Sequence, residues 1–427
     1  MNAPTPGAAR RPGARPAGRP TAQLSAPLSL DADTVIADPK IHIVVCCGSG
    51  GVGKTTTAAA LAVRAAEQGR RVAVLTIDPA RRLAQSLGLT ELDNIPREVP
   101  GIDSTAGGSL DAMMLDMKRT FDEVVQAHAT PEKAEQILAN PFYEALSSSF
   151  AGTQEYMAME KLGQLRGLRG DDGRPRWDLV VVDTPPSRSA LDFLDAPSRL
   201  GSFLDGRFIR VLLAPAKAGG RAYTKVMGAG IGMASGVLSK LLGATTLDDV
   251  RGLVAALDTM FGGFRERADH TYALLRQPET AFLVVAAPER DALREAGYFI
   301  DRLDADGMPL AGVVVNRVRR ARTDAVSAEG AYSAAETVRA EAGEDPEAIT
   351  TAELLEVHAE IAAEARRHNR LVRDFAARHP RVRFAEVPTA ATDVHDLDDL
   401  RRIGAALAER TAERTAERTA EQVVSEA

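Results

Sequence analysis

Residues 41–56 read Ile41-His42-Ile43-Val44-Val45-Cys46-Cys47-Gly48-Ser49-Gly50-Gly51-Val52-Gly53-Lys54-Thr55-Thr56. The nearly unbroken apolar run Ile41–Cys46 fits a strand buried on both faces of a parallel sheet. It runs into Gly48-Ser49-Gly50-Gly51-Val52-Gly53-Lys54-Thr55, which satisfies the phosphate-loop pattern G-x-x-x-x-G-K-[ST]. Thr56–Gln68 supplies the helix that the pattern requires next. Each residue type has its own reason. Glycines let the backbone curl so that its N–H groups converge on phosphate oxygens, and the helix N-terminus adds partial positive charge. Lys54 is placed to reach the β- and γ-phosphates and the Thr55 hydroxyl to ligate Mg²⁺. The expected nucleotide-binding set here is Gly50, Gly51, Val52, Gly53, Lys54, Thr55 and Thr56.

Working outward, short β-branched runs recur at Arg71–Ile77, Leu179–Val182, Phe282–Ala286, Gly312–Val315 and Val382–Val387, with helical stretches between them. This alternation predicts an α/β fold, a doubly wound and mostly parallel sheet of P-loop NTPase type. Residues 110–168 and 198–278 carry few strand signals and read as one helical subdomain inserted twice. The core is then 39–109, 169–197 and 279–405. The second strand ends at Asp78 and the third delivers Asp183, and strand C-termini form the ligand crevice of such a sheet. An apolar run closed by Asp is the Walker B arrangement, whose carboxylate supports Mg²⁺. Taken singly, either Asp also suits a turn cap; beside a phosphate loop, both are candidates for the nucleotide.

Composition limits the rest. The 427 residues carry a net charge of −7, which argues against a dedicated nucleic-acid binder. Residues 1–38 are rich in Pro, Ala and Arg and are expected to be a disordered leader, a solvated tail or a docking segment. Residues 406–427, with a Glu-Arg-Thr-Ala repeat, are expected to form a charged helical tail. The sequence has only two cysteines, Cys46 and Cys47; as strand neighbours they point to opposite faces, so they read as core thiols in a reducing compartment. With no run of 18 apolar residues, the expected location is the cytoplasm, with at most peripheral membrane association.

The loop, followed by Asp78-Pro79-Ala80 and Asp183-Thr184-Pro185-Pro186-Ser187, resembles the deviant-Walker ATPases, the class that holds MinD, ParA and nitrogenase iron protein. Within it the chain is most similar to the ArsA/Get branch, the arsenical-pump ATPase and the tail-anchored-protein targeting factor. Asp78-Pro79-Ala80 with Leu83 resembles that branch's switch I, and Asp183-Thr184-Pro185-Pro186-Ser187 with Leu191, Phe193 and Leu194 its switch II. Val313-Val314-Val315-Asn316 resembles the strand whose Asn contacts adenine, and Val387-Pro388-Thr389 the loop that closes over the base. The resemblance implies an ATPase using ATP and Mg²⁺, with nucleotides at a dimer interface that opens and closes. It implies catalytic roles for Asp78, which would orient or deprotonate the attacking water, and for Lys54, which would stabilise γ-phosphate charge. Thr55 and Asp183 would serve the metal, and Asn316 and Pro388 the base.

The chain also departs from that pattern. Ser49 stands where the class carries the signature lysine that reaches across the dimer, so the expected assembly is either a homodimer or a heterodimer with a related ATPase, and Arg81 or Arg82 is an alternative cation. With Cys46 and Cys47 in a strand, neither metalloid capture nor a zinc clip is expected. Arg188-Ser189-Ala190 replaces a Gly-His-Thr run in switch II. The Gly-rich, Met-containing stretch Val226–Leu242 reads either as a wall for a hydrophobic protein client or as ordinary helical packing. Client handling leads; a MinD/ParA-like positioning switch and a low-activity regulatory subunit are the alternatives.

Overall fold

In a computed structural model of the chain, residues 27–77, 82–140, 143, 153–185, 266–321, 323 and 325–408 are described. They build one nine-stranded sheet from β1 (Leu28–Ser29), β2 (Ile43–Gly48), β3 (Arg71–Thr76), β4 (Arg97–Glu98), β5 (Ser109–Met114), β6 (Leu179–Asp183), β7 (Thr280–Ala286), β8 (Leu310–Val318) and β9 (Arg383–Pro388). The order is β1-β9-β8-β7-β2-β6-β3-β5-β4, and every pair is parallel except β4 with β5. The chain leaves β2 for β3, returns to insert β6 between them, then builds β7, β8 and β9 on the far side. The winding direction therefore reverses around β2, and the crevice above that strand is where such sheets bind ligands. The fold is the doubly wound α/β architecture that the sequence predicts.

Strands β2, β6 and β7 are buried along their whole length, as their apolar runs require. Cys46 and Cys47 confirm the alternation, lying in the cores on opposite faces of the sheet. One core is covered by α1 (Ala32–Ile36), α2 (Lys54–Glu67), α3 (Arg82–Ser86) and a C-terminal helix, Leu397–Ala408. The other lies under α4 (Met117–His128), α5 (Pro131–Leu138), α6 (Thr153–Gly167) and α7 (Arg290–Ala305). Small residues bring α2 close to its neighbours: Ala58–Ala66 are buried throughout apart from Arg64, and a Cβ at Gly404 of the C-terminal helix would lie 3.3 Å from the Ala60 carbonyl.

Two expectations need correction, and a third segment gains detail. Residues 28–38 are not disordered leader: β1 pairs with β9, and Leu30, Ala32 and Ile36 are buried. Asp31 caps α1, and Asp33 holds Arg64 of α2 at 2.5 Å, so polar and apolar contacts both fasten this segment. The stretch 110–168 opens with strand β5 rather than a helix. Leu110, Ala112 and Met113 are buried there, while the half-buried Asp111 accepts the Trp177 indole N–H at 2.8 Å. Within 279–405, α8 (Ala328–Ala342) and the 33-residue α9 (Pro346–Arg378) form an alanine-packed hairpin through Ala328, Ala331, Ala359 and Ala362. The C-terminal half of α9 returns Val372 and Phe375 to the main core; α10 is Leu397–Ala408. Residues 1–26, 198–265 and 409–427 lie outside the described residues, and with them the Val226–Leu242 stretch and the tail repeat.

Candidate nucleotide site

The loop Gly48–Lys54 joins β2 to α2 at the winding reversal. Two of its glycines are dictated by geometry. A Cβ at Gly48 would meet the Val285 carbonyl oxygen of β7 at 2.1 Å, and Gly53, with φ +94°, turns the chain into the helix. Gly53 is also the N-cap, so no side chain covers the first amides of α2 and they are available to an anion. Lys54 is 6% exposed, and its ammonium folds back to donate to the Ser49 carbonyl at 2.8 Å. The Ser49 hydroxyl is buried and has no hydrogen-bond partner among the described residues. Gly50 and Gly51 are exposed, Val52 is buried, and Thr55 and Thr56 are half-buried at the first turn of α2. The next residue, Thr57, bonds the Gly53 carbonyl at 2.9 Å and steadies the turn.

Strand register brings the second motif to this loop. Asp183 at the end of β6 lies opposite Cys46 of β2 and Thr76 of β3. Its carboxylate is fully buried, and Oδ2 accepts the Thr55 hydroxyl at 2.7 Å and the Thr76 hydroxyl at 2.9 Å. Thr184 donates its hydroxyl to the Cys46 carbonyl at 2.9 Å, which fixes the chain just past Asp183. A hydroxyl and a carboxylate at one point are the hard oxygen donors that suit Mg²⁺, and the uncapped amides and Lys54 suit phosphate, so the residues fit both groups. Thr76 is a contributor that motif reading passes over, and the signal that reveals it is strand alignment, since it falls level with Asp183; Thr184 belongs to the motif already quoted, and the structure adds its bond to the Cys46 carbonyl.

On the base side, Asn316 and Pro388 sit at the C-terminal rim of β8 and β9, where Val318 pairs with Pro388. Asn316 is 9% exposed and turns inward: its Nδ2 donates to the Val52 carbonyl at 2.9 Å and its Oδ1 accepts the Arg317 amide at 2.9 Å. Asp78, Pro79, Ala80 and Arg81, the Arg82 side chain and residues 186–194 lie outside the description. The chain therefore brings together Lys54, Thr55, Asp183 and Asn316, and leads β3 toward Asp78 two residues past Thr76. The cysteine thiols are free and buried, and their surroundings favour the protonated form. Burial, and then the Asp183 charge, raise the Cys46 pKa well above the usual range, and burial pushes Cys47 up to about 12.

Comparison with known proteins bears on the family. The model of the anion-transporting ATPase family matches residues 41–329, more than half of the chain. Similar proteins include the ATPase get3 of Schizosaccharomyces pombe, 29% identical over 178 residues that cover 41% of this chain and 49% of the relative. The ATPase GET3 of Malassezia globosa is 25% identical over 289 residues, covering 66% of this chain and 75% of the relative. The arsenical pump-driving ATPase of Escherichia coli is 30% identical over 161 residues, which cover 37% of this chain and 26% of the relative. The chain thus spans about half the length of the first of these relatives and about a quarter of the third.

Proposed function

The chain belongs to the anion-transporting ATPase family, and from that premise we propose that it is an ATPase that binds and hydrolyses MgATP above β2 and couples the cycle to opening and closing of a dimer. The observation that carries the reading is the convergence of the Thr55 and Thr76 hydroxyls on buried Asp183 beside a phosphate loop with an uncapped helix N-terminus. Thr55 and Asp183 would hold Mg²⁺, which when bound neutralises charge on the β- and γ-phosphate oxygens. Lys54 leaves the Ser49 carbonyl to meet the phosphate, and the first amides of α2 orient it. Asp78 is the proposed group that orients or deprotonates the attacking water. Phosphoryl transfer asks a protein mainly for such positioning and charge stabilisation.

We further propose that the client is a protein or membrane-associated segment and not arsenite. Metalloid capture needs thiolates, and the chain's only two cysteines are buried in β2 with raised pKa values. The dimer is a homodimer or a heterodimer with a related ATPase. Among the described residues no helix is long and apolar enough to cross a membrane. The test is phosphate release by the full chain with Mg²⁺ and with excess EDTA. Wild type should hydrolyse ATP only with Mg²⁺, and Lys54→Ala should lose roughly 100-fold or more of the rate, as removal of a preorganised charge at the reacting oxygen does. A Lys54→Ala protein at wild-type rate, or hydrolysis indifferent to EDTA, would overturn the reading.

A further inference from the structure

We infer that Asn316 is a positioning residue of the phosphate loop: aimed by a bulge in β8, its carboxamide fastens the Val52-Gly53 turn, so phosphate affinity depends on it whatever base the nucleotide carries. Strands β8 and β9 run in step up to Val315 opposite Glu386, but the next partners are Val318 and Pro388. β8 therefore spends three residues where β9 spends two, which is a β-bulge at Asn316-Arg317. Arg317 sits at φ +60°, the only non-glycine residue with positive φ among the described residues. A left-handed conformation is unfavourable for a residue with a Cβ, and such outliers gather where a local geometry serves a site. Here the bulge turns the Asn316 side chain across the end of β7 to the loop after β2.

Both ends of the carboxamide are engaged with the chain. Oδ1 takes the Arg317 amide at 2.9 Å, and this orients Nδ2 toward the Val52 carbonyl, also at 2.9 Å. The contact is close: a Cβ on Gly53 would lie 2.2 Å from Nδ2, so the glycine at this position makes room for the amide as well as for the turn. Val52 and Gly53 immediately precede Lys54 and Thr55, so a brace on that peptide sets the height from which the lysine, the threonine and the first helical amides meet phosphate. Among the described residues one Nδ2 hydrogen and one Oδ1 lone pair are left over, and a base contact would be a second use of the same group.

This inference rests on the nucleotide-binding reading only for its affinity arm, so it is tested with and without nucleotide. Asn316→Asp keeps the acceptor for the Arg317 amide but sets an oxygen against the Val52 carbonyl; Asn316→Ala removes both bonds. On the full chain, affinities are measured for MgATP, MgGTP and inorganic tripolyphosphate, and amide hydrogen exchange of residues 48–57 is followed without ligand. Each variant should weaken all three ligands, tripolyphosphate included, by at least the roughly five- to tenfold that one lost hydrogen bond gives, and any additional loss confined to ATP reads the base contact. Exchange over 48–57 should speed up in the ligand-free variants. Loss confined to ATP, with tripolyphosphate affinity and loop exchange unchanged, would make Asn316 a base reader alone and overturn the inference. If wild type binds none of the three, the nucleotide reading fails, while loop exchange still decides for or against the brace. The near-isosteric Asp variant covers the case in which Ala does not fold.

Discussion

Removing one hydroxyl, at Thr76, should shift the magnesium requirement of the whole site. Thr76 ends β3, is buried, and donates to Asp183 Oδ2 at 2.9 Å, the oxygen that also takes the Thr55 hydroxyl at 2.7 Å. Thr76→Val is nearly isosteric and keeps the β-branched shape that suits the strand. A hydrogen bond to a charged acceptor contributes about 1.5–3 kcal/mol, so the carboxylate loses one of its orienting contacts at a cost of that order. Residues that orient a metal-binding carboxylate typically change affinity or activity by about 10–100-fold when removed. The Mg²⁺ concentration giving half-maximal ATP hydrolysis should therefore rise roughly 10–100-fold in Thr76→Val and stay close to wild type in Thr76→Ser, which retains the donor. Steady-state phosphate release against free Mg²⁺ reads the shift, and urea unfolding of the same proteins reads the stability cost. A Thr76→Val protein that titrates like wild type refutes the argument, even if it is less stable, because the hydroxyl would then serve packing and not the site.

Two further outcomes follow from the fold. Leu30→Ala should destabilise the protein by about 2–4 kcal/mol in urea unfolding, the usual cost of emptying a buried leucine site; a change within about 0.5 kcal/mol would mean that the segment around β1 and α1 does not pack as described. His368 of α9 accepts the Arg319 amide at Nδ1, 3.1 Å away, and burial lowers its pKa from 6.5, with Glu364 and Glu289 opposing and Arg367 and Arg319 assisting. Because the folded ring binds its proton less readily than the unfolded one, this residue leaves stability untouched above pH 6.5 and removes it as pH falls from there through the lowered folded value. Stability measured between pH 7.5 and 5 should fall less steeply in His368→Gln than in wild type, and equal slopes would refute the assignment.

The part of this fold that sequence makes legible is the part where one residue type has one physical reason. Gly48, Gly53, Lys54 and Thr55 are readable because the loop tolerates few substitutes, and the apolar runs of β2, β6 and β7 are readable because strands buried on both faces have no polar alternation to confuse them. The order of strands is different in kind. That β6 lies between β2 and β3 is a non-local fact, and only that insertion brings Thr76 level with Asp183. The segment 28–38 misleads for a compositional reason: it follows a Pro- and Ala-rich stretch, and its anchors Leu30, Ile36 and Asp33 are too few to outweigh that context until β9 and α2 are there to receive them. The same holds for β5, whose Asp111 breaks the apolar run in sequence but finds the Trp177 indole in the fold.

Asn316 shows why a motif can locate a residue and still leave its work half described. Its place at the end of an apolar strand is a matter of pattern, but the bulge that aims it depends on Arg317 adopting a left-handed backbone, which no composition signal announces. Ser49 makes the converse case. Its hydroxyl lies buried in the loop, and its carbonyl, not its side chain, engages Lys54. A side chain that ends at Cβ-Oγ cannot reach a neighbouring subunit's phosphate, so in the dimer proposed above any charge supplied across the interface must come from another position or from a related subunit. Ser49→Lys separates these cases. If the loop lacks only that cation, the variant homodimer should hydrolyse ATP faster than wild type without a partner; if a related subunit already provides it, the variant should gain nothing in the assembled heterodimer. A gain in the presence of the partner would refute supply in trans, and a loss in both settings would mean that the buried hydroxyl itself is needed where it stands.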